Sequence, residues 1–161
     1  MPFVVSVTSQ WAPKGKLLHL PVEFVGCRFR EPPPSITTEA DAPHTVSAWV
    51  RLTRGDLNAS VASQNGATKN AFKLAYAPGD GKWRFVTYDS DSATAAEKRA
   101  VSNRSAKLNE WTHLAGVYDA GANRIRLYEN GELVAANTVT GTFNATGGFL
   151  IGRSQNNGAY E

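Results

Sequence analysis

Few residues in this chain have the type and spacing that bond-making chemistry needs. The histidines, His19, His44 and His113, show no i,i+4 spacing, so no helical metal-ligating pair is present. No Gly-x-Ser-x-Gly elbow and no Gly-Lys-Ser/Thr phosphate loop occurs. Cys27 is the single cysteine, which excludes an intrachain disulfide and a thiolate metal site. As a nucleophile it would need His113 or another activating group beside it, and its sequence neighbours point to an inert thiol. Residues suited to recognition are more numerous. Trp49 with Arg51, Trp83 with Phe85, and Tyr128 with Arg124 and Arg126 place flat or planar-cationic side chains two residues apart. In an extended strand this spacing puts each set on one face, where sugar C–H surfaces can stack and flanking polar groups can bond hydroxyls. Trp83 and Trp111 are expected in the core, since tryptophan is highly buried on average, while Trp49 could face either way.

The elements that position these residues follow from period-two patterning. In "HTVSAWVRLT" Val46, Ala48, Val50 and Leu52 share one face and Ser47, Trp49 and Arg51 the other. "AFKLAYAPGDGKWRFVTY" reads as two strands around a turn at Pro78 to Gly81, with Phe72, Leu74 and Tyr76 aligned. "WTHLAGVYDAGANRIRLYENGELV" is a three-strand meander. Trp111, His113, Ala115 and Val117 face one way, Asp119 to Asn123 form a loop, and Asn130-Gly131 suits a tight hairpin. Asp119 and Asn130 are thus expected as turn formers. "ASVASQNG" runs into an Asn65-Gly66 turn, and "SATAAEKRA" reads as a helical turn or an irregular loop. Short alternating runs broken by Gly, Asn and Asp specify an all-β fold, an antiparallel sandwich.

The 161 residues fit one domain with its own core. Charge is interspersed, 17 basic against 14 acidic side chains, without the clustered Lys/Arg and interleaved aromatics of a nucleic-acid binder. The initial apolar run lacks a basic leader region and a small-residue cleavage site, so no signal peptide is read, and no membrane span is read anywhere. Residues 1–34 differ in character, with two apolar runs closed by Pro32 to Pro34, a boundary that no helix or central strand tolerates. They could hold one or two strands, a linker, or residues outside the natural start.

Three stretches, "HTVSAWVRL", "NEWTHLAGVYDAGANRIRLYENGELV" and "GGFLIGR", together resemble the laminin-G-like jelly roll of the concanavalin A-like lectin/glucanase superfamily over about residues 35–158. It is similar especially to versions found as modules in large secreted or surface proteins of bacteria. The resemblance implies a jelly-roll sandwich over residues 35–161 at the cell exterior, with glycans or cell-surface proteins as partners and neighbouring domains of a parent protein. It also admits one calcium ion at the rim, for which Asp56, Asn58, Asp89, Asp91 and Asp119 are the oxygen-bearing candidates. Relatives end in a further strand of the type Asp-Glu-Val-Arg-Val-Tyr, and here "QNNGAYE" stands instead. A missing strand would leave an unpaired edge, covered by the N-terminal apolar runs or open to self-association. Glucan-cleaving relatives carry paired carboxylates in register on one strand. The nearest match, "EADAPH", lacks the third acid, is interrupted by Pro43 and precedes its strand. The expectation is therefore a non-enzymatic recognition module for carbohydrate or a cell-surface ligand, its sugar contacts drawn from Trp49, Arg51, Arg124, Arg126 and Tyr128. The competing reading is a structural spacer or remnant without a ligand.

Overall fold

The computed structural model describes residues 2–6, 21–25, 40–157 and 159–160. An N-terminal ribbon pairs β1 (Pro2–Ser6) with β2 (Pro21–Val25), and β1 lies beside the next strand, β3 (His44–Arg51). The following strands are β4 (Ala59–Asn65), β5 (Asn70–Ala77), β6 (Lys82–Tyr88), β7 (Glu97–Val101), β8 (Trp111–Asp119), β9 (Arg124–Glu129), β10 (Glu132–Thr138) and β11 (Phe149–Ile151). The short pair β12 (Gln155–Asn156) and β13 (Ala159–Tyr160) follows. A four-stranded sheet in the order β10-β9-β8-β3 packs on a five-stranded sheet in the order β11-β4-β5-β6-β7, and neighbouring strands within both sheets run antiparallel. The protein is an all-β sandwich. Cys27, His19, Glu39 and the proline run at 32–34 lie outside the described residues.

Alternation decides which side chains meet between the sheets. Val46, Ala48, Val50, Leu114, Ile125 and Leu127 enter from the four-stranded sheet and Phe72, Leu74, Tyr76, Trp83, Phe85 and Phe149 from the other. Gly116 of β8 faces Phe85 so closely that a methyl group there would stand 2.6 Å from the ring's Cγ and Cε2. The Phe85 ring fills the space that a side chain on β8 would otherwise take.

Turn chemistry holds the register. Asn130 and Gly131 take φ values of 51° and 84°, joining β9 to β10, and the Asn130 side-chain oxygen accepts the His113 backbone N–H at 2.9 Å. Asp119 Oδ1 accepts the Ala122 N–H at 3.0 Å, closing the β8–β9 loop. Asn65-Gly66 works differently, since neither residue has a positive φ. Gly66 instead makes room for the Asp91 carboxylate, whose oxygens accept the N–H groups of Ala67, Thr68 and Lys69 at 2.6 to 2.8 Å. The segment expected as a helical turn or loop is loop over residues 92–96 and then enters β7 at Glu97. As an edge strand it needs a single fully buried residue, Ala100, and Glu97, Lys98 and Arg99 can remain charged.

Candidate functional site

The two outer faces differ. Across the five-stranded sheet the chain returns after β11. Ser63 Oγ donates to the Arg153 carbonyl at 2.9 Å, Ser60 bonds Ser154 at 2.7 Å, and Lys69 Nζ reaches Asn156 Oδ1 at 2.8 Å. Ser63, Ser154 and Val86 have no exposed surface there. The outer face of the four-stranded sheet keeps large side chains in solvent.

On β3 and β8 the antiparallel register pairs Trp49 with His113 and Arg51 with Trp111. All four point outward, so Trp49, Arg51, Trp111 and His113 form a quartet about 7 Å by 5 Å between side-chain roots. The Trp49 and His113 rings lie 5.2 Å apart at 50°. Trp49 is 47% exposed and Trp111 43%. Roughly 100 Å² of each indole stays in water, and at about 25 cal/mol per Å² this forgoes roughly 2–3 kcal/mol of burial per residue. Trp83, by contrast, is 2% exposed and packs edge-on against Tyr76, as expected for the core. The expectation of a buried Trp111 is corrected: its alternation with His113, Ala115 and Val117 sends it outward, whatever tryptophan does on average.

Next to the quartet, Ser47 pairs with Ala115 and Ala115 with Tyr128. Two small residues thus make low ground between the indoles and the Tyr128 ring, with the 55%-exposed Leu133 opposite Tyr128 on β10. The sheet therefore brings together Trp49, Arg51 and Tyr128 of the sequence-derived set and adds Trp111 and His113. It does not bring in the other two arginines. Arg126 bonds Asp119 Oδ2 at 3.1 Å, and Arg124 pairs with Asp119. Arg126 lies in the Val117 row, four residues along β8 from the Trp49–His113 row, and Arg124 in the Asp119 row, six residues along and roughly 20 Å away.

Arg51 is half-buried, and its Nε finds no hydrogen-bond partner. Among the described residues it has no carboxylate partner. Trp49 and Trp111 can only donate through their indole N–H groups, as Arg51 can only donate. The amide oxygen of Asn130, Oδ1, accepts the His113 N–H.

The rim oxygens do not fit a calcium ion. Asp56 forms a bidentate pair with Arg54 at 2.7 and 2.5 Å, which pulls its carboxyl down to about 2. Asn58 is exposed in the same loop. Asp89 accepts the Ala96 N–H and the Ser90 hydroxyl. Burial pushes the Asp91 carboxyl up, but three backbone N–H bonds outweigh this and hold it below the usual range. Asp119, held low chiefly by the Ala122 N–H and then by Arg126, serves the turn. Donors rather than empty space surround these carboxylates, and among the described residues no three His, Cys, Asp or Glu side chains gather for a metal. No helix among the described residues is long and apolar enough to cross a membrane.

Residues 32–161 match the laminin G family model described as the concanavalin A-like lectin/glucanases superfamily. The chain belongs to that superfamily. Among solved structures, this concanavalin A-like sandwich resembles the carbohydrate-binding module CBM40 of the Ruminococcus gnavus IT-sialidase bound to α2,3-sialyllactose. The TM-score is 0.53 at 17% identity, over 73% of this chain and 65% of that one. It spans a little under two thirds of that module's length. A heptameric SAP-like pentraxin from Limulus polyphemus gives a TM-score of 0.55 at 15% identity, over 99% of this chain and 61% of the pentraxin. The leech intramolecular trans-sialidase, complexed with 2,7-anhydro-Neu5Ac, gives 0.52 at 18% identity over 78% of this chain and 21% of that enzyme. At these identities the likeness is one of fold. No curated protein matches the sequence.

Proposed function

We propose that residues 35–161 form a non-catalytic recognition module of a secreted or cell-surface protein. It binds carbohydrate on the outer face of the four-stranded sheet, against Trp49, Trp111, Arg51 and His113 with Tyr128 at the border. The observation that carries this reading is the pair of half-exposed indoles in adjacent register on an otherwise open face. Sugar rings offer apolar C–H faces that stack on such rings, and the guanidinium and indole N–H groups fix orientation. Two of the structural neighbours are sugar complexes, one of a carbohydrate-binding module, which supports the reading by analogy of fold.

The acid inventory supports a non-catalytic role. Glycoside hydrolysis uses two carboxylates roughly 5–9.5 Å apart. Of the acids on the strands of this sheet, Asp119 is bonded to Arg126, Glu129 is buried on the side of Ile125 and Leu127, and Glu132 pairs with Arg104. The first 34 residues, whose β1 lies beside the edge strand β3, belong in this reading to edge protection rather than to the ligand site.

Glycan-array binding by the wild-type protein, lost in Trp49→Ala and in Trp111→Ala with melting temperatures within a few degrees of wild type, is the expected result. Both side chains are exposed, so each truncation removes cross-strand contacts worth about 0.2–1 kcal/mol and leaves the core intact. An intact fold that binds no glycan overturns the reading and leaves a structural spacer.

A further inference from the structure

Polar atoms without partners gather at one end of the core. His44 opens β3 with its ring 4.6 Å from Phe72, 5.5 Å from Tyr118 and 6.4 Å from Phe85. Thr87 stands directly opposite Phe72 across β5 and β6, two residues from Phe85, so alternation puts it on the same inward face. Asn70 precedes Phe72 by two residues on β5 and shares that face. All three residues are at least nine-tenths buried. His44 Nε2, Thr87 Oγ1 and Asn70 Nδ2 have no hydrogen-bond partner, and they are half of the six such buried side-chain atoms among the described residues. Their roles are complementary. The Ala42 carbonyl only accepts, so the proton of the imidazole sits on Nδ1, and burial opposes a second proton. Nε2 is therefore an acceptor. Asn70 Oδ1 takes the Gln155 N–H at 3.1 Å, which fixes Nδ2 as a donor. The Thr87 hydroxyl can do either.

We propose that this end of the core binds one water molecule, which donates to His44 Nε2, accepts from Asn70 Nδ2 and bonds the Thr87 hydroxyl. A buried polar group left unbonded bears its full desolvation cost, which native cores avoid by recruiting ordered water. The amino group of Asn70 repels a cation and the Nε2 lone pair repels an anion, so the guest is neutral. Water is the smallest neutral guest that both donates and accepts, and three partners is its usual number in protein interiors. Bound there, it ties the start of β3 to β5 and β6 of the opposite sheet and holds His44 in the tautomer that bonds Ala42. The site lies between the sheets and is independent of the carbohydrate surface on the outer face.

The test is a high-resolution crystal structure of the full chain, paired with nitrogen NMR of its histidines in solution. Wild type is expected to show one ordered density peak within about 2.6–3.2 Å of Nε2, Oγ1 and Nδ2. The His44 Nε2 resonance should sit at the position of a hydrogen-bonded lone pair. Thr87→Val keeps the side-chain shape and removes the hydroxyl, so the peak should weaken or vanish and the resonance should move toward that of a free imidazole nitrogen. The wild-type measurements decide the question even where this variant folds poorly. A direct Nε2–Oγ1 bond in the crystal overturns the proposal, as does a free-imidazole resonance without ordered density. A peak of full occupancy that persists in Thr87→Val overturns the three-partner bridge.

Discussion

Replacing Gly116 with alanine tests the packing of one sheet on the other. The backbone there is ordinary extended chain, so the added methyl group is the whole perturbation. It would stand 2.6 Å from two Phe85 ring atoms, where ordinary contact begins at 3.4 Å. The ring must therefore move by about 1 Å or more, and it has nowhere to go: Phe85 has no exposed surface, with His44 and Phe72 centred 6.4 and 6.0 Å away. Overpacking of this kind costs about 1–3 kcal/mol, and this geometry belongs at the upper end. The loss of unfolded-state freedom on Gly→Ala returns about 0.4–1 kcal/mol. A net loss of about 2–3 kcal/mol remains, which lowers the melting temperature of a domain this size by about 4–12 °C. Calorimetry and urea unfolding read the single variant, Phe85→Leu and the double variant. The double variant should be less destabilised than the sum of the singles by at least about 1 kcal/mol, because the smaller side chain vacates the clash. A melting temperature within about 2 °C of wild type for Gly116→Ala, or strict additivity in the cycle, would refute the register that places Gly116 over Phe85.

His44 lies in the core with its Nδ1 donating to the Ala42 carbonyl at 2.9 Å and Nε2 without a partner, and burial holds its folded-state value below 6.5. The unfolded chain therefore binds the extra proton first. Stability should be flat above about pH 7.5 and fall as pH drops below 6.5, and His44→Phe should remove that slope in melting curves from pH 7.5 to 5. Asp91→Ala strips three backbone N–H groups of their acceptor, a loss of about 1 kcal/mol since water reaches the exposed loop, and hydrogen exchange at residues 67–69 should quicken. Its depressed carboxyl contributes stability present above 3.8 and lost as pH falls below that value, so the Asp91→Ala deficit should shrink in acid. Millimolar Ca²⁺ should leave the melting temperature unchanged, because the rim carboxylates already hold N–H or guanidinium donors; a rise of several degrees would show a site assembled some other way.

Much of the sandwich was legible because its strands obey one period. The alternation of Val46, Ala48 and Val50 with Ser47 and Trp49 gave the inner and outer faces of β3, and Pro78 to Gly81 and Asn130-Gly131 marked hairpins that occur as read. Two failures share a cause, a statistical habit placed above local pattern. The run from Ser92 to Ala100 read as a helical turn or an irregular loop; residues 92–96 are loop, but Glu97 to Ala100 belong to an edge strand, which requires only one inward apolar residue. Trp111 was assigned to the core from tryptophan's usual burial, against the alternation that sends it outward with His113. Which residues meet across strands was not legible. Nothing in the spacing of residues 49 and 51 from 111 and 113 says that β3 runs against β8 in this register, and the quartet exists only through that pairing. The same holds for Arg124 and Arg126, which look like part of one patch in sequence and lie six and four residues along β8 from the Trp49–His113 row.

The most direct test of the ligand surface is a two-dimensional NMR titration with an oligosaccharide that binds on the glycan array, following the indole Nε1–H signals assigned by single Trp→Phe variants. Saturable shifts of the Trp49 and Trp111 signals with an unmoved Trp83 are the predicted result. Unmoved Trp49 and Trp111 signals, with saturable backbone shifts confined to the five-stranded sheet, would contradict the account and place the ligand on the opposite face.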